Sequence, residues 1–325
     1  MDIRPEMRAL RSNDAPQRSA QAAVGEVLGA WRDSGQGLQV ERELRLFSGG
    51  AAIEDLPFLS TLFCQNESAP IHFVEHLLLP LLGRLKADPL TQSPLRFSTD
   101  DIQTTLVIAK FRNTTLTLQS VSGAALDRKP YPNSASFSPT ETYDRILAGT
   151  ARVLKVAVEQ QLPNGALLSC NESVIEQGQV RHRYGRSEAQ LLRSVQGSLV
   201  TLKLQRPTAD HDVTREYALD GGRLLRQAAG TPHDSRLELA AALLGRMARL
   251  DAAPLLSVMA EEEGNPSLRW QALRECLGLD TARGFRTLCS LASRADDPLA
   301  VPAGALRAQL LETYPELSGV SECPA

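Results

Sequence analysis

The sequence predicts an α+β chain: N-terminal helices, then an antiparallel β sandwich or barrel, then a helical tail. Three changes of texture predict it. Residues 1–94 place apolar side chains at helical spacing, 95–230 alternate Thr, Val and Leu with polar residues between frequent turns, and 235–317 are rich in Ala, Leu and Arg. A chain of 325 residues also exceeds one ordinary core, since single cores stop growing near ~250–300 residues.

Residues 1–13 read as a loose arm. Asp14 can cap a helix with Pro16 in its first turn, where a missing N–H costs nothing. Ala20, Val24, Leu28 and Trp31 then form one apolar stripe, and Gly35 and Gly37 are expected to end the helix. Shorter helical pieces are expected over 40–47 and 53–63. A stronger helix covers 71–86, where Leu77, Leu78, Leu79, Leu81 and Leu82 suggest deep burial and Pro80 suggests a kink.

From Leu95 the pattern becomes β. Leu116, Leu118 and Val121 are expected on one side of a hairpin that turns at Arg112-Asn113. Further strands are expected over 134–137, 150–158, 166–170, 189–194, 199–205 and 215–219. Turn residues separate them, Gln196-Gly197 and Asp220-Gly221-Gly222 among others.

At Ser235 the chain turns helical, with Ser235-Arg-Leu-Glu238 as a capping box. Ala272-Leu273-Arg274 recurs as Ala305-Leu306-Arg307, and Pro266 and Pro298 precede the corresponding helices. On this weak repetition, residues 235–317 resemble HEAT-like repeats, which implies a stack of helix pairs offering a protein-binding surface. The β segment resembles the cupin double-stranded β-helix. The whole chain is similar to bacterial proteins that join two such parts, a resemblance that implies no activity.

Bulk composition excludes some classes. The formal charge is −3, against the strong basic field that a general nucleic-acid or anionic-membrane binder needs. From 235 to 317, nine basic and eleven acidic residues leave the tail at −2, a poor DNA reader. No apolar run approaches the ~20 residues that span a bilayer, and Met1–Asn13 has no apolar core of a secretory signal. Five scattered cysteines without a CxxC pair, Cys64, Cys170, Cys276, Cys289 and Cys323, fit a reducing cytoplasm with mostly buried thiols.

Two strings carry candidate chemistry. His72-Phe73-Val74-Glu75-His76 resembles the H-x-x-E-H helix of insulinase-type zinc peptidases, which implies two zinc ligands at i and i+4 and Glu75 as catalytic base. That family needs a further glutamate on a downstream helix. Here the nearest downstream acids, Glu141 and Glu159, fall among expected strands. Gly178 to Glu188 resembles the first cupin motif, which implies His182 and Glu188 as metal ligands. Tyr184 stands where a second histidine belongs, the glycine lies too close to His182, and only His233 lies near the second motif. His211-Asp212 sits in a polar loop. There is no G-x-S-x-G elbow and no Gly-rich phosphate loop.

Each metal string lacks a ligand, so a protein without metal or other cofactor is expected. The sequence reads best as a non-catalytic binding or scaffold protein with a protein partner or small ligand, no nucleic acid or membrane, and room for homo-oligomers. The alternative is a metal-dependent enzyme through His72, Glu75 and His76 or near His182.

Overall fold

In the computed structural model, residues 12–65, 68–208 and 213–320 are described. The arm before Ser12, His211-Asp212 and Cys323 lie outside them. The protein is mixed α+β with two sheets, one of seven strands and one of three. The chain divides into two compact units, Met1–Ala135 with Thr140–Gln161 and Leu167–Thr208, and Ser136–Pro139 with Leu162–Ala166 and Ala209–Ala325.

In the first unit, helix α1 (Ala15–Arg32) buries the expected stripe of Ala20, Val24, Leu28 and Trp31. Its cap differs from expectation. Asn13 Oδ1 accepts the Ala15 N–H at 3.0 Å, while Asp14 pairs with Arg18 at 2.9 Å. Gly35 and Gly37 open the next helix instead of closing this one. Ser34 Oγ accepts the Gly37 N–H at 3.3 Å and caps α2 (Gly35–Ser48). Gly37 is needed for clearance, because a Cβ there would lie 2.3 Å from the Trp31 carbonyl oxygen.

Three short turns, Ile53–Asp55, Pro57–Ser60 and the π turn Thr61–Gln65, replace the single piece expected over 53–63. The buried Glu43 carboxylate holds them by accepting the N–H groups of Phe58 and Leu59 at 3.1 and 2.8 Å. Helix α3 (Ala69–Ala87) runs on through Pro80. Its 3.6 period buries Phe73, Leu77 and Leu81 but leaves Leu79 and Leu82 exposed, so the leucine run is amphipathic rather than deeply buried throughout.

The large sheet runs β1 (Phe97–Thr99), β2 (Gln103–Phe111), β3 (Thr114–Ser122), β8 (Glu188–Pro207), β5 (Thr140–Leu162), β6 (Gly165–Glu176), with β7 (Val180–Tyr184) also on β5. The β2–β3 hairpin turns at Arg112-Asn113 as expected, with Arg112 at φ 52°. The expected strands 189–194 and 199–205 are one strand, β8, paired antiparallel to β5 from Thr140↔Pro207 to Ala157↔Glu188. Register shifts on β5 between Ile146 and Val153 let two such long strands bend together. Gly197, read as a turn residue, sits within this strand at φ 68°.

The sheet buries both faces. Leu116, Tyr143, Leu202 and Leu204 join the core under the N-terminal helices. Val121, Ile146, Val195 and Leu199 form a second cluster. Val121 therefore faces away from Leu116, against expectation, because the two lie five positions apart, an odd number of pleats.

In the second unit, β10 (Leu224–Ala229), β9 (Val213–Ala218) and β4 (Ser134–Phe137) form the small sheet. The Phe137 and Tyr217 rings meet at 5.7 Å. Five helices follow: α4 (Pro232–Arg246), α5 (Ala253–Glu261), α6 (Pro266–Leu279), α7 (Thr281–Ser293) and α8 (Ala300–Thr313). Thr231, not Ser235, caps α4 by accepting the Asp234 N–H at 3.1 Å. Leu256, Leu273, Cys276, Leu288 and Leu291 make their shared core. Among the described residues no helix is long and apolar enough to cross a membrane.

Candidate functional site

The zinc-peptidase string does not converge on anything. His72, Glu75 and His76 all lie on the exposed side of α3, and it is Phe73 and Leu77 that turn inward. Among the described residues no group of three or more His, Cys, Asp or Glu side chains is placed to hold a metal ion.

The cupin-like string is split by strand geometry. Successive side chains of β7 alternate between faces. His182 and Tyr184 take the face shared with Tyr143 and Glu141, their cross-strand partners, while Arg181 and Arg183 take the other. Glu188 lies beyond the turn, where its carboxylate accepts the Tyr184 N–H at 3.1 Å and closes the 184–188 connection. His182 and Glu188 thus serve different places rather than one ligand set. His233 is exposed near the start of α4.

On the helix-facing side, Glu141 is the hub. Its Oε1 lies 2.9 Å from His182 Nε2 and accepts from the Tyr143 hydroxyl at 3.1 Å, and its Oε2 accepts from Arg206 Nε at 2.5 Å. His182 stacks on Tyr143 with ring centroids 4.2 Å apart. Arg206 Nη1 also donates to the carbonyls of Phe47 and Ala51, at 2.7 and 2.8 Å. Burial and then the Glu141 charge push the Tyr143 phenol well above its ordinary value. A carboxylate with all of these donors is occupied, so this network ties β5, β7 and β8 to the end of α2 and leaves little for a ligand.

The opposite face is differently placed. Register aligns Arg181, Asp144, Lys203 and Thr117 in one row across four strands, with Arg183 beside Thr142 in the next. Arg183 Nη2 donates to Asp144 Oδ2 at 2.6 Å, and Lys203 Nζ lies 3.6 Å from Asp144 Oδ1. Asp144 and Thr117 are buried, and Arg183 and Lys203 partly so, with side chains 18% and 23% exposed. Three cations on one carboxylate leave the row formally at +2. Arg181 has no hydrogen-bonding partner for its side chain among the described residues, and burial first, then the Arg183 charge, lowers its pKa from the ordinary arginine value. Asp144 Oδ1, Arg183 Nε and Thr117 Oγ1 are buried without a hydrogen-bond partner. Buried polar atoms of this kind are costly unless something satisfies them.

Sequence reasoning missed this row. The signal was present in Val180-Arg-His-Arg-Tyr184, whose alternation sends both arginines to one side. The partners Asp144, Lys203 and Thr117 come from strands far apart in sequence and had no local signature. The thiols divide as well. Cys64 and Cys170 are exposed, against the expected burial, whereas Cys276 and Cys289 are buried. Burial pushes the Cys276 thiol up to about 11.

No family model matches the chain. No curated protein matches it. Among solved structures, a stretch is similar to CapF in complex with 3-isopropenyl-tropolone, with 12% identity, 37% of this chain, 32% of that chain and a TM-score of 0.27. Another is similar to the Momordica charantia 7S globulin, with 17% identity, 39% of this chain, 36% of that chain and a TM-score of 0.25. A third is similar to the Drosophila melanogaster CENP-C cupin domain, with 13% identity, 35% of this chain, 76% of that chain and a TM-score of 0.26. The chain spans about a third of the length of the first two. At these TM-scores the likenesses carry no argument about what the protein does.

Proposed function

We propose that the protein is a non-catalytic binding protein with a cupin-like β domain, and that the row of Arg181, Asp144, Lys203 and Thr117 with Arg183 holds a small polar ligand bearing a carboxylate. One observation carries this reading: a formally positive, partly buried row whose buried atoms Asp144 Oδ1, Arg183 Nε and Thr117 Oγ1 make no hydrogen bond, Asp144 Oδ1 having only the Lys203 ammonium at 3.6 Å. A carboxylate supplies acceptors for the guanidinium and ammonium groups, and a hydroxyl or amine on the same ligand supplies a donor for Asp144. Thr117 Oγ1, the hydroxyl of the row, is not hydrogen-bonded to a base, which favours binding over turnover. The HEAT-like tail would then present a surface to a protein partner.

A thermal-melt titration with acetate, malonate and serine, against chloride at equal ionic strength, tests the reading. A ligand that binds only the folded state raises the melting temperature with concentration. The expected result is a rise with at least one carboxylate that disappears in Arg183→Met and Lys203→Met. Equal melting temperatures in all salts would overturn it. So would one equivalent of tightly held metal that is lost in His182→Ala.

A further inference from the structure

Helix α7 carries a polar stripe that the β-domain site does not use, with Thr287 buried and Arg286 and Ser293 exposed. Arg283, Arg286, Thr287, Ser290 and Ser293 recur at i, i+3, i+4, i+7 and i+10, one face of a helix, while Phe285, Leu288 and Leu291 are buried on the other side. That stripe lines a cleft of about 560 Å³, with α5 and Arg307 of α8 completing its walls. The volume falls in the range of small-molecule sites, roughly 300–1,000 Å³.

The charges in the cleft are unbalanced. Arg283, Arg286 and Arg307 line it, and Glu261 is the acid among the lining residues. Glu261 is already engaged: its carboxylate lies 3.6 Å from Arg294 Nη2, and Arg294 Nη1 donates to its carbonyl at 2.9 Å. Arg283 has Asp280 at 3.6 Å. Arg286 and Arg307 have no ion pair or side-chain hydrogen bond among the described residues. Around them the tail is net negative, with eleven acidic against nine basic residues from 235 to 317. The cleft is therefore a local positive focus lined by guanidinium forks, with the Ser290 hydroxyl, which accepts from Arg294 Nη2 at 3.3 Å, beside them. The other lining hydroxyls are engaged within the protein: Ser257 and Thr287 bond each other at 2.7 Å, Thr287 also donates to the Arg283 carbonyl at 3.2 Å, and Ser293 donates to the Ser290 carbonyl at 2.7 Å. Forked guanidinium donors beside hydroxyls suit a tetrahedral oxyanion with several acceptor oxygens better than a single carboxylate.

We propose that this cleft binds a phosphate group, carried either by a small phosphate ester or by a phosphorylated side chain of a partner. The inference rests on the tail alone and stands independently of the β-domain reading.

Calorimetric titration of the full chain at low salt tests it, with inorganic pyrophosphate in one arm and the peptide Gly-phosphoserine-Gly in the other. Binding of either is expected, weakened about tenfold or more in the double variant Arg286→Gln/Arg307→Gln, because each lost charge-assisted bond is among the stronger kinds. Both substituted side chains are exposed, so circular dichroism and melting of the variant should match the parent. Binding in the first arm alone assigns a free phosphate ester, and in the second alone a phosphorylated protein. Arg152→Gln, at an exposed arginine outside both sites, should leave the affinity unchanged. No binding in either arm at millimolar concentration overturns the proposal, as does binding that survives the double variant or that Arg152→Gln weakens as much.

Discussion

Arg206 and Glu141 are tied through Nε and Oε2 at 2.5 Å, and the same guanidinium lies 4.0 Å over the Phe47 ring while bonding the carbonyls of Phe47 in the last turn of α2 and of Ala51 just beyond it. One side chain thus closes the end of β8 onto β5 and onto the helical layer. Both partners are largely buried, with side chains 16% and 7% exposed. Removing one member of such a pair leaves a buried charge uncompensated, at a cost of about 3–5 kcal/mol. Arg206→Met should therefore lower stability by that order in urea unfolding. The double change Glu141→Gln/Arg206→Met should recover part of the loss. A single variant within about 0.5 kcal/mol of the parent, the range of ordinary surface substitutions, would show that the tie is not structural.

The same hub sets the titration of Tyr143. Burial and the Glu141 carboxylate both raise its phenol pKa. A raised folded-state value means that the neutral phenol contributes stability fully below the unfolded value of ~10, and that this is lost as pH rises through the folded value. Absorbance of tyrosinate with pH should show a late component that Tyr143→Phe removes. If all tyrosines titrate together near pH 10 in the folded protein, the hub is looser than described.

How much of this was legible depended on range. The α1 stripe of Ala20, Val24, Leu28 and Trp31 was read correctly, because helix periodicity is a local signal. The hairpin at Arg112-Asn113 was legible for the same reason. Gly197 misled, because a glycine inside a long bent strand looks in sequence like a glycine in a turn. His182 stood out as a ligand position in a cupin-like string with Glu188, yet its side-chain partner is Glu141, forty-one positions away. The row through Asp144 and Lys203 was hidden altogether, since only strand register brings those residues to Arg181.

Gly149 offers a test of how β5 and β8 bend. It sits at φ 90°, and a Cβ there would lie 2.2 Å from the Ser198 carbonyl oxygen. Both facts point the same way: alanine would be strained by its backbone and would push β8 off β5 at the register shift between Ala148 and Thr150. Gly149→Ala should cost more than about 1 kcal/mol, beyond the usual change where alanine fits. Gly197→Ala, also at positive φ but with open space around its Cβ position, should cost less. Equal losses in the two variants would place the cause in backbone conformation alone rather than in the strand contact.

Arg269 and Asp297 make the corresponding tie in the helical tail. Arg269 Nη1 and Nη2 reach the two Asp297 oxygens at 3.1 and 2.5 Å, and its Nε donates to the Ala260 carbonyl at 3.0 Å. The guanidinium holds the Asp297 carboxyl below its ordinary value. A depressed folded-state pKa contributes stability above the unfolded value of ~3.9, and that contribution is lost as pH falls through the folded value. Asp297→Asn should thus destabilise the tail at neutral pH by roughly 1–3 kcal/mol, the cost of weakening a charge-assisted bond to a buried donor. The gap between variant and parent should narrow as the pH drops below ~4. Trp270 adjoins Arg269 in α6, so its fluorescence in a Trp31→Phe background reports this unfolding directly. A gap that stays constant from pH 7 to pH 3 would mean that the carboxylate charge contributes nothing, and that Asp297 acts only through its bond to the Leu299 N–H at 2.9 Å.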